Sequence, residues 1–547
     1  MAGPTADPDT ERLLEGVAFL TGLLNQKLDD EFPELIHGLM EIIFPHYLRP
    51  VPSISIVAFS PRPGLRETVS VPAGTALSSI PVEETACRFR TCFDVEVHPL
   101  ELRSVEAKTR GDQLVQISMV MKLSGINLAQ WQPRTLPFML GGPISQAADI
   151  CFLLTRHLER IVIEPTEGGG GCVLPPDCLR AVGFDPDTSI LPFPMQSFSG
   201  YRLIQEYFLL PAKLLFMELK GWEDWQDRGA GTEFRVTFEF SRAPIPLSRV
   251  TSAQVILFAT PVINLFGMEA EPVTLDHRTE KVRVLPEGRD KSHFQIYSVE
   301  KVVGHVQGSL RRKDYLPLEV FSRSTRDNLV YQVVQAYSPI DGTPQVFLSF
   351  PYSRMGPEPE TEVLSIELIC TNGTLPERLE LGDISVATDE SPGLLSFRNI
   401  MPPTYAVDPP LGKKTLWKLL GHLSLNYLPL VNTANLKDML MLYAFPEGRN
   451  RAMVTANMRQ VEGIIGVFTE PIRRLIRGAP MYGQSIEVTA EQDHFASMGA
   501  LYLFGSVLDQ FFGVYSSMHT FTRFQIKEPI TGETFTWPER MGTKWLI

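Results

Sequence analysis

The sequence predicts a multidomain α+β protein with N-terminal helices, two β-rich domains and an α+β C-terminal domain. Three observations support this class: the chain has 547 residues, its start shows helical apolar spacing, and its middle alternates apolar and polar residues. One hydrophobic core rarely serves so long a chain, and about 150 residues per domain suggests about three or four domains. The predicted parts are a helical segment (1–50), a β-rich domain (51–247), a second β-rich domain ending in a proline-rich linker (248–412) and an α+β domain (413–547).

The N-terminal segment carries an apolar stripe. Its apolar residues recur in steps of three and four, which places them on one face of a helix. Such a broad face has to be covered. The protein's own core would cover it by default, and a helical bundle shared with a neighbouring subunit is the alternative. The residues of this N-terminal stripe are Leu13, Val17, Leu20, Leu24 and Leu28.

The helical segment passes into β-structure without a linker. Pro33 suits the first turn of a helix and pushes Phe32 out of the α region, so two helices should meet there. The second helix should stop near Pro45. Alternation with a period of two begins at 53–56 and predicts a half-buried strand.

The middle of the chain is predicted to be mostly β. Apolar and polar residues alternate at 117–123, 234–241 and 363–372, which indicates strands with one solvent-exposed face. Residues 201–208 fit a short helix or a strand. The glycine run at 168–171 predicts a flexible surface loop, and it contains no phosphate-binding motif.

The C-terminal part mixes helices and strands. A proline-rich stretch at 401–412 predicts an extended linker. Asn435 is positioned as the N-cap of a helix. Helices are predicted at 416–427, 436–443 and 501–512, and strands at 485–489 and 520–526.

Composition excludes several classes of function. A formal net charge of −13 argues against nucleic acid as a ligand, because phosphate binding needs clustered Lys and Arg. The N-terminus lacks the basic and apolar regions of a secretory signal. The uncharged run at 250–268 contains Pro261 and Asn264, so it predicts buried strand and turn and no membrane insertion. The sequence therefore predicts a cytoplasmic protein.

No motif predicts a catalytic, cofactor-binding or metal site. The sequence has no metalloprotease motif and no serine-hydrolase motif. The run at 412–415 looks like the end of a P-loop, but it lacks the upstream glycine and strand that a P-loop requires. Cys87 and Cys92 are predicted to be small apolar residues of a strand pair. The charged run at 276–278 predicts a turn between strands near Val273 and Val282. Phe511 and its helical neighbours have the spacing of core residues.

Several blocks of the sequence resemble the TssF family (also called VasA or ImpG) of type VI secretion baseplate subunits. Their order and spread cover nearly the whole chain. They are the stretches at 26–59, 87–95, 260–266, 271–272 and 275–278, with Leu423-Ser424-Leu425-Asn426-Tyr427-Leu428 and Leu503-Phe504-Gly505-Ser506-Val507-Leu508-Asp509-Gln510-Phe511-Phe512.

The resemblance implies a non-enzymatic wedge subunit, similar to a wedge protein of contractile-tailed phages. The implied partners are TssG, in a two-to-one assembly, together with TssK, TssE, the VgrG hub and a second copy of this chain. In the family that the chain resembles, six such wedges ring the hub and start sheath polymerisation, and the resemblance implies the same here. The implied location is the inner face of the cytoplasmic membrane, reached through the baseplate and without direct insertion.

The start of the chain departs from the family pattern. The family usually has a further Tyr- and Arg-rich helical segment before the residues corresponding to Asp7 and Pro8. Here Met1 comes almost directly before them, so either the start is truncated or this member has a shorter bundle.

A β-rich carbohydrate-active enzyme or binding module is the alternative function, and it would need paired carboxylates and exposed aromatics in a cleft.

Overall fold

The computed structural model describes residues 40, 45–110, 113–193, 199–241, 250–276, 278–288, 290–318, 329–351, 360–411, 432–445, 448–476, 479–515 and 520–542. These residues form helices and extensive β-sheet in a multidomain α+β arrangement, which confirms the predicted fold class. The N-terminal stripe, the helix predicted at 416–427 and the P-loop-like run at 412–415 lie outside the described residues.

The helices of the described chain are α1 (Pro45–Leu48), α2 (Ile144–Arg156), α3 (Ser199–Leu209), α4 (Thr433–Tyr443), α5 (Arg451–Glu462) and α6 (Met498–Tyr515). Helix α3 settles the alternative at 201–208 in favour of a helix, and α6 confirms the helix predicted at 501–512. Helix α1 ends at Leu48, three residues past Pro45, near which the second helix was predicted to stop.

The N-cap of α4 differs from the prediction. Asn432 occupies the cap, and its Oδ1 accepts a hydrogen bond from the Ala434 N–H at 3.0 Å. Asn435 lies inside the helix, so its assignment as N-cap is wrong. The reason is that an Asn was already available one turn earlier, where its short side chain reaches the unpaired N–H groups of the first turn.

The first strands of the chain are β1 (Ile54–Pro61), β2 (Val69–Val71), β3 (Ala76–Val82), β4 (Thr85–Thr91), β5 (Val95–Val97), β6 (Leu100–Arg110) and β7 (Gln113–Leu123). They are followed by β8 (Leu136–Leu140), β9 (Leu158–Pro165), β10 (Cys172–Leu174), β11 (Leu179–Ala181), β12 (Phe216–Leu219) and β13 (Glu233–Phe240). Strands β1, β7 and β13 confirm that the stretches from 53, at 117–123 and at 234–241 are strands. The single solvent-exposed face predicted for the first two is wrong, because Ser55 of β1 and Ser118 of β7 are 0% and 5% exposed: other parts of the fold cover both faces there.

The strands after residue 250 are β14 (Val255–Leu257), β15 (Ala259–Ile263), β16 (Phe266–Glu269), β17 (Val273–Leu275), β18 (Lys281–Arg283), β19 (Gln295–Val306), β20 (Arg312–Pro317), β21 (Val330–Tyr337), β22 (Pro344–Ser349), β23 (Glu362–Thr371) and β24 (Leu395–Asn399). The last strands are β25 (Ile464–Ile476), β26 (Ala479–Ala490), β27 (Thr520–Lys527), β28 (Thr534–Thr536) and β29 (Arg540–Met541). Strands β23, β26 and β27 confirm the strands predicted at 363–372, 485–489 and 520–526.

The central sheets join strands that are far apart in sequence. One sheet has the order β24-β1-β15-β4-β3, another β10-β9-β13-β7-β6, and a third β11-β12-β8-β14. Strand β1 pairs with β15 from Ile54 opposite Ile263, and β8 pairs with β14 from Leu140 opposite Val255. Strands from both sides of residue 247 therefore share sheets. The predicted domain boundaries stay predictions.

The strands between β16 and β23 form a sheet with its own core. Its order is β16-β23-β19-β20-β21-β22-β18, and β17 also pairs with β23. Val302, Leu348, Leu364 and Ile366 are fully buried in this core. A second, larger core runs through the central sheets and into α4, α5 and α6. The C-terminal helices therefore share one continuous core with the central sheets.

The glycine run at 168–171 forms a surface loop, as predicted, but it is held in place. The Trp225 indole N–H donates to the Gly170 carbonyl at 2.8 Å, and the Gly170 N–H donates to the Asp227 carbonyl at 2.9 Å. A Cβ on Gly169, which has a φ of +84°, would lie 2.8 Å from the Gly229 nitrogen. These glycines therefore allow close packing of two backbone segments, and their abundance did not signal flexibility.

We predict that truncating buried residues of α6 destabilises the protein strongly. Val507 and Phe511 are 1% and 0% exposed, so replacing either with Ala should lower the free energy of unfolding by about 2 to 5 kcal/mol. Urea denaturation of each variant measures this loss. Ile530, which is 77% exposed, provides the control: its replacement by Ala should change stability by less than about 0.5 kcal/mol. Unchanged stability of the Val507 and Phe511 variants would contradict their place in the core.

Candidate docking surfaces

The described end of the N-terminal segment is anchored on the C-terminal helices. The Tyr47 hydroxyl donates to the Leu442 carbonyl at 3.2 Å, and the Tyr47 ring meets the Tyr443 ring edge-on at 5.8 Å. His46 Nε2 lies 3.4 Å from the Tyr443 hydroxyl. Burial raises the pKa of Tyr443 well above its ordinary value, so this ring stays neutral.

Two further helices, α3 and α6, contact the same site. The Tyr201 ring of α3 stacks on Tyr443 at 5.5 Å, and it also contacts the Phe511 ring of α6 at 5.6 Å. We call His46, Tyr47, Tyr201, Tyr443 and Phe511 the aromatic junction. It holds the short helix α1 against α3, α4 and α6. The N-terminal stripe itself lies outside the described residues, so its role stays a prediction.

A buried ion pair fixes α3 beside the aromatic junction. Lys213 Nζ donates to Glu206 Oε2, and the two side chains are 1% and 0% exposed. The other oxygen of Glu206 accepts from the Ile190 and Leu191 N–H groups at 2.8 and 2.9 Å. Burial lowers the pKa of Lys213, and the Glu206 carboxylate opposes that shift. The pair therefore stays charged only while both partners are present.

The C-terminal sheet presents a long edge strand. Its order is β25-β26-β27-β28, with β29 also paired to β27. Strands β26 and β27 are parallel, whereas β25 and β26 form an antiparallel hairpin. Within the described chain β25 has β26 as its only strand neighbour. Unpaired backbone groups along such an edge are a template for another strand.

The start of this edge is occupied, and several of the residues that follow are exposed. The Val467 N–H donates to Thr433 Oγ1 of α4 at 3.0 Å. Beyond that point Phe468 is 64% exposed, and on β26 Tyr482 is 57% exposed. The Arg473 guanidinium lies 4.6 Å from the centre of the Tyr482 ring. The sequence predicted strand only at 485–489 here, so β25 was missed. The β-branched and aromatic residues at 464–468 were the available signal.

Helix α6 carries one buried carboxylate. Asp509 is 1% exposed, and its Oδ2 accepts from Arg540 Nε of β29 at 2.5 Å. Burial raises the pKa of Asp509 to about 6, and the charge of Arg540 limits the rise. This pair ties the last described strand to α6, the longest of the described helices.

The cysteine and the charged run that were considered as candidate reactive groups occupy structural positions. Cys87 is fully buried in β4, as predicted, and burial raises the pKa of its thiol to about 11.

The charged run at 276–278 lies between β17 and β18, where Asp276 Oδ1 accepts from the Arg278 N–H at 3.0 Å. Asp276 and Arg278 thus lie in the connection between the two strands, as predicted, and His277 lies outside the described residues. In the described chain the only grouping suited to a cation is Glu491, Asp493 and His494, which are partly to fully exposed, and such groups are common on surfaces.

Among the described helices, none is both long enough and apolar enough to cross a membrane. The stretch at 250–268, which the sequence assigned to buried strand and turn, indeed forms β14, β15 and β16.

Comparison with known proteins identifies the family. The family described as "Type VI secretion system, TssF" matches residues 1–544. The chain belongs to the TssF family. The TssF1 component of the type VI secretion system of Pseudomonas aeruginosa is 30% identical over 588 aligned positions, which cover 98% of this chain and 93% of that protein. The resemblance seen in the sequence is therefore confirmed.

Solved structures agree with this TssF assignment. A chain in the TssK-TssF-TssG baseplate subcomplex of the type VI secretion system matches with a TM-score of 0.82 and 27% identity, over 98% of this chain and 99% of that one. A chain in a type VI baseplate complex matches with a TM-score of 0.63 and 23% identity, over 99% and 94%, and supports the fold alone. These matches indicate a structural component of the secretion system, and they do not favour a carbohydrate-active enzyme or binding module.

We predict that breaking the buried ion pair of this TssF protein costs more than removing it. Lys213→Met should lower the free energy of unfolding by about 3 to 5 kcal/mol, because Glu206 is left as an uncompensated buried charge. Adding Glu206→Gln should recover much of the loss, since the amide oxygen still accepts from Ile190 and Leu191.

Denaturant unfolding of the single and double variants measures both effects. Lys220 is the matched control, because its ammonium pairs with Glu218 at 3.2 Å while it is 45% exposed. Lys220→Met should change stability by no more than about 1 kcal/mol. A double variant no more stable than Lys213→Met would contradict the role of the buried charge.

We predict a pH dependence from Asp509. Its folded pKa, about 6, lies above the ordinary 3.8, so the folded state binds this proton more tightly than the unfolded state. Stability from this group is therefore fully present below about pH 3.8 and is lost as the pH rises through 6. Relative to Asp509→Asn, the native protein should gain on the order of 1 kcal/mol between pH 7 and pH 5. Denaturant unfolding at both pH values measures the difference, and a constant or reversed difference would show that the pKa is not raised.

Proposed function

We propose that this chain is a structural wedge subunit of the type VI secretion baseplate, which acts through its surfaces and catalyses no reaction. The observation that carries the proposal is the match over 98% of the chain, with a TM-score of 0.82, to a chain of a TssK-TssF-TssG baseplate subcomplex. A match of that extent includes the central sheets, the separate sheet with its own core and the C-terminal helices together.

The proposed partners follow from that match and from the family. TssG and TssK are named in the subcomplex that contains the similar chain, so they are the first partners we propose. We further propose that the assembly includes TssE, a second copy of this chain and the VgrG hub, and that it nucleates the contractile sheath. Such an assembly would lie in the cytoplasm, at the inner face of the cytoplasmic membrane, without inserting into it.

The packing of the chain suits a scaffold. The larger core is continuous from the central sheets into α4, α5 and α6, so forces applied at one surface reach the others through close-packed side chains. The aromatic junction holds helix α1, the described end of the N-terminal segment, against α4. A helix extending from this anchored position would be presented to a neighbouring subunit at a defined place. We therefore propose the N-terminal stripe as the shared helical bundle with TssG.

We predict that charges in the N-terminal stripe abolish binding of TssG. Replacing Leu20 and Leu24 with Asp puts two carboxylates on the apolar face, where their desolvation opposes packing. Co-expression with tagged TssG, followed by affinity purification, measures the loss. The control is Asn25→Asp with Gln26→Asp, which adds the same charge at polar positions of the same predicted helix. A Leu20 and Leu24 variant that still co-purifies with TssG would end the assignment of the stripe.

The wider proposal has a separate test. The native chain, co-expressed with TssG and TssK, should purify as one complex, and native mass spectrometry should give its composition. A native chain that binds neither protein would refute a role as baseplate wedge, whereas loss in the stripe variant alone concerns only the bundle.

A further inference from the structure

The exposed part of β25 has a defined set of outward backbone groups. The Val467 N–H points away from β26, because it donates to Thr433. The pairing with β26 is regular from Gly466 to Ile476, and backbone direction alternates along a strand. The backbone N–H and C=O groups of Thr469 and Arg473, and the C=O of Pro471, therefore also point away from β26. Pro471 fits this direction, since a proline can occupy an edge strand where its missing N–H faces away from the partner.

The side chains of this edge complement a second copy of themselves. If two β25 strands pair antiparallel about a two-fold axis at Ile472, the Ile472 residues face each other. Glu470 then lies opposite Arg474 on both sides of the axis. Opposite charges and apolar residues are the cross-strand neighbours that stabilise antiparallel pairs.

The backbone selects the same register. With the axis at Ile472, the Arg473 N–H reaches the Pro471 carbonyl, and Thr469 exchanges two hydrogen bonds with Leu475. An axis at Pro471 would place two prolines opposite each other and lose both bonds of that pair. An axis at Glu470 or Arg474 would set like charges face to face. The register at Ile472 therefore satisfies the backbone and the charges together.

The charged groups of this register are accessible. Glu470 is exposed, and no described residue forms an ion pair with it. Arg474 is 52% exposed and contacts Glu539 at 2.7 Å. An exposed pair of that kind contributes at most about 1 kcal/mol, so Arg474 can turn to a second copy at little cost. Ile472 is half-buried at the centre of the edge.

We propose that β25 is a self-pairing edge that joins two copies of this chain through an antiparallel strand pair centred on Ile472. The proposal deepens the second-copy contact of the proposed function and rests on it. A strand pair of this length is smaller than the interface of a stable dimer, so it would form where other subunits already hold the two copies together.

A cysteine at the axis tests the pairing directly. Facing residues of a non-hydrogen-bonded antiparallel pair have Cβ atoms about 4.5 to 5.5 Å apart, close to the range of a disulfide. Under mild oxidation, Ile472→Cys in the full chain co-expressed with TssG and TssK should give a disulfide-linked dimer on a non-reducing gel, reversed by dithiothreitol. Arg523→Cys lies on β27, away from the edge, and with the native chain it measures the background from the six native cysteines. A dimer yield no higher than that of Arg523→Cys would overturn the proposal.

Charge reversal tests the register. On the Ile472→Cys background, Glu470→Arg or Arg474→Glu alone places like charges opposite each other twice, and should lower the cross-linking yield about tenfold. The two changes together should restore it. Lys527→Glu changes the net charge as Arg474→Glu does, but at the far end of β27, and should leave the yield unchanged. Single reversals without effect, or a combined variant that does not recover, would refute this register.

The outcomes separate the edge from the wider function. If these variants still co-purify with TssG and TssK but the axis cysteine does not cross-link, self-pairing is wrong and the baseplate role stands. Protection of the β25 amides from hydrogen exchange without cross-linking would mean that another strand occupies the edge, which also overturns self-pairing. Failure of the native chain to bind TssG and TssK would instead refute the proposed function.

Discussion

The burial of α6 is the constraint on which much of the structure depends. This helix is apolar around most of its circumference, and such a helix is stable only when it is enclosed. Its start lies against α2 so closely that a Cβ on Gly499 would come within 2.4 Å of the Ala148 backbone. Phe504 contacts Tyr207 of α3, and Phe512 contacts Phe524 of β27. One helix thus joins the central sheets to the C-terminal sheet.

Polar contacts determine how the surrounding elements sit on that helix. The Gly499 N–H donates to Asp149 of α2 at 2.8 Å, which caps the start of α6. The pair of Glu206 and Lys213 orients α3, and the pair of Asp509 and Arg540 holds the end of the described chain. Glu206, Lys213 and Asp509 are almost fully buried, so each loses much if its partner is missing. Burial supplies the cohesion of this region, and these pairs make one arrangement preferable to similar alternatives.

Local patterns predicted much of the secondary structure but not its partners. The alternation in β7, β13 and β23 and the spacing in α6 depend only on neighbouring residues, so these elements could be read directly. The N-cap was placed at Asn435 instead of Asn432, because both residues offer the same short side chain. Strand β25 was missed, since Gly466 and Pro471 interrupt its pattern. The pairs Glu206–Lys213 and Asp509–Arg540 could not be found, because nothing local marks a charge as buried.

The sequence by itself determined the α+β class, the resemblance to the TssF family, and the absence of any recognisable catalytic motif. These follow from residue types and short spacings, which folding does not alter. Only the tertiary structure decided that β1 pairs with both β15 and β24, that the sheet between β16 and β23 has its own core, and that β25 lies at an edge. The physical reason is that the side-chain period of a strand fixes its two faces, whereas its hydrogen-bonding neighbours depend on how the whole chain is arranged in space.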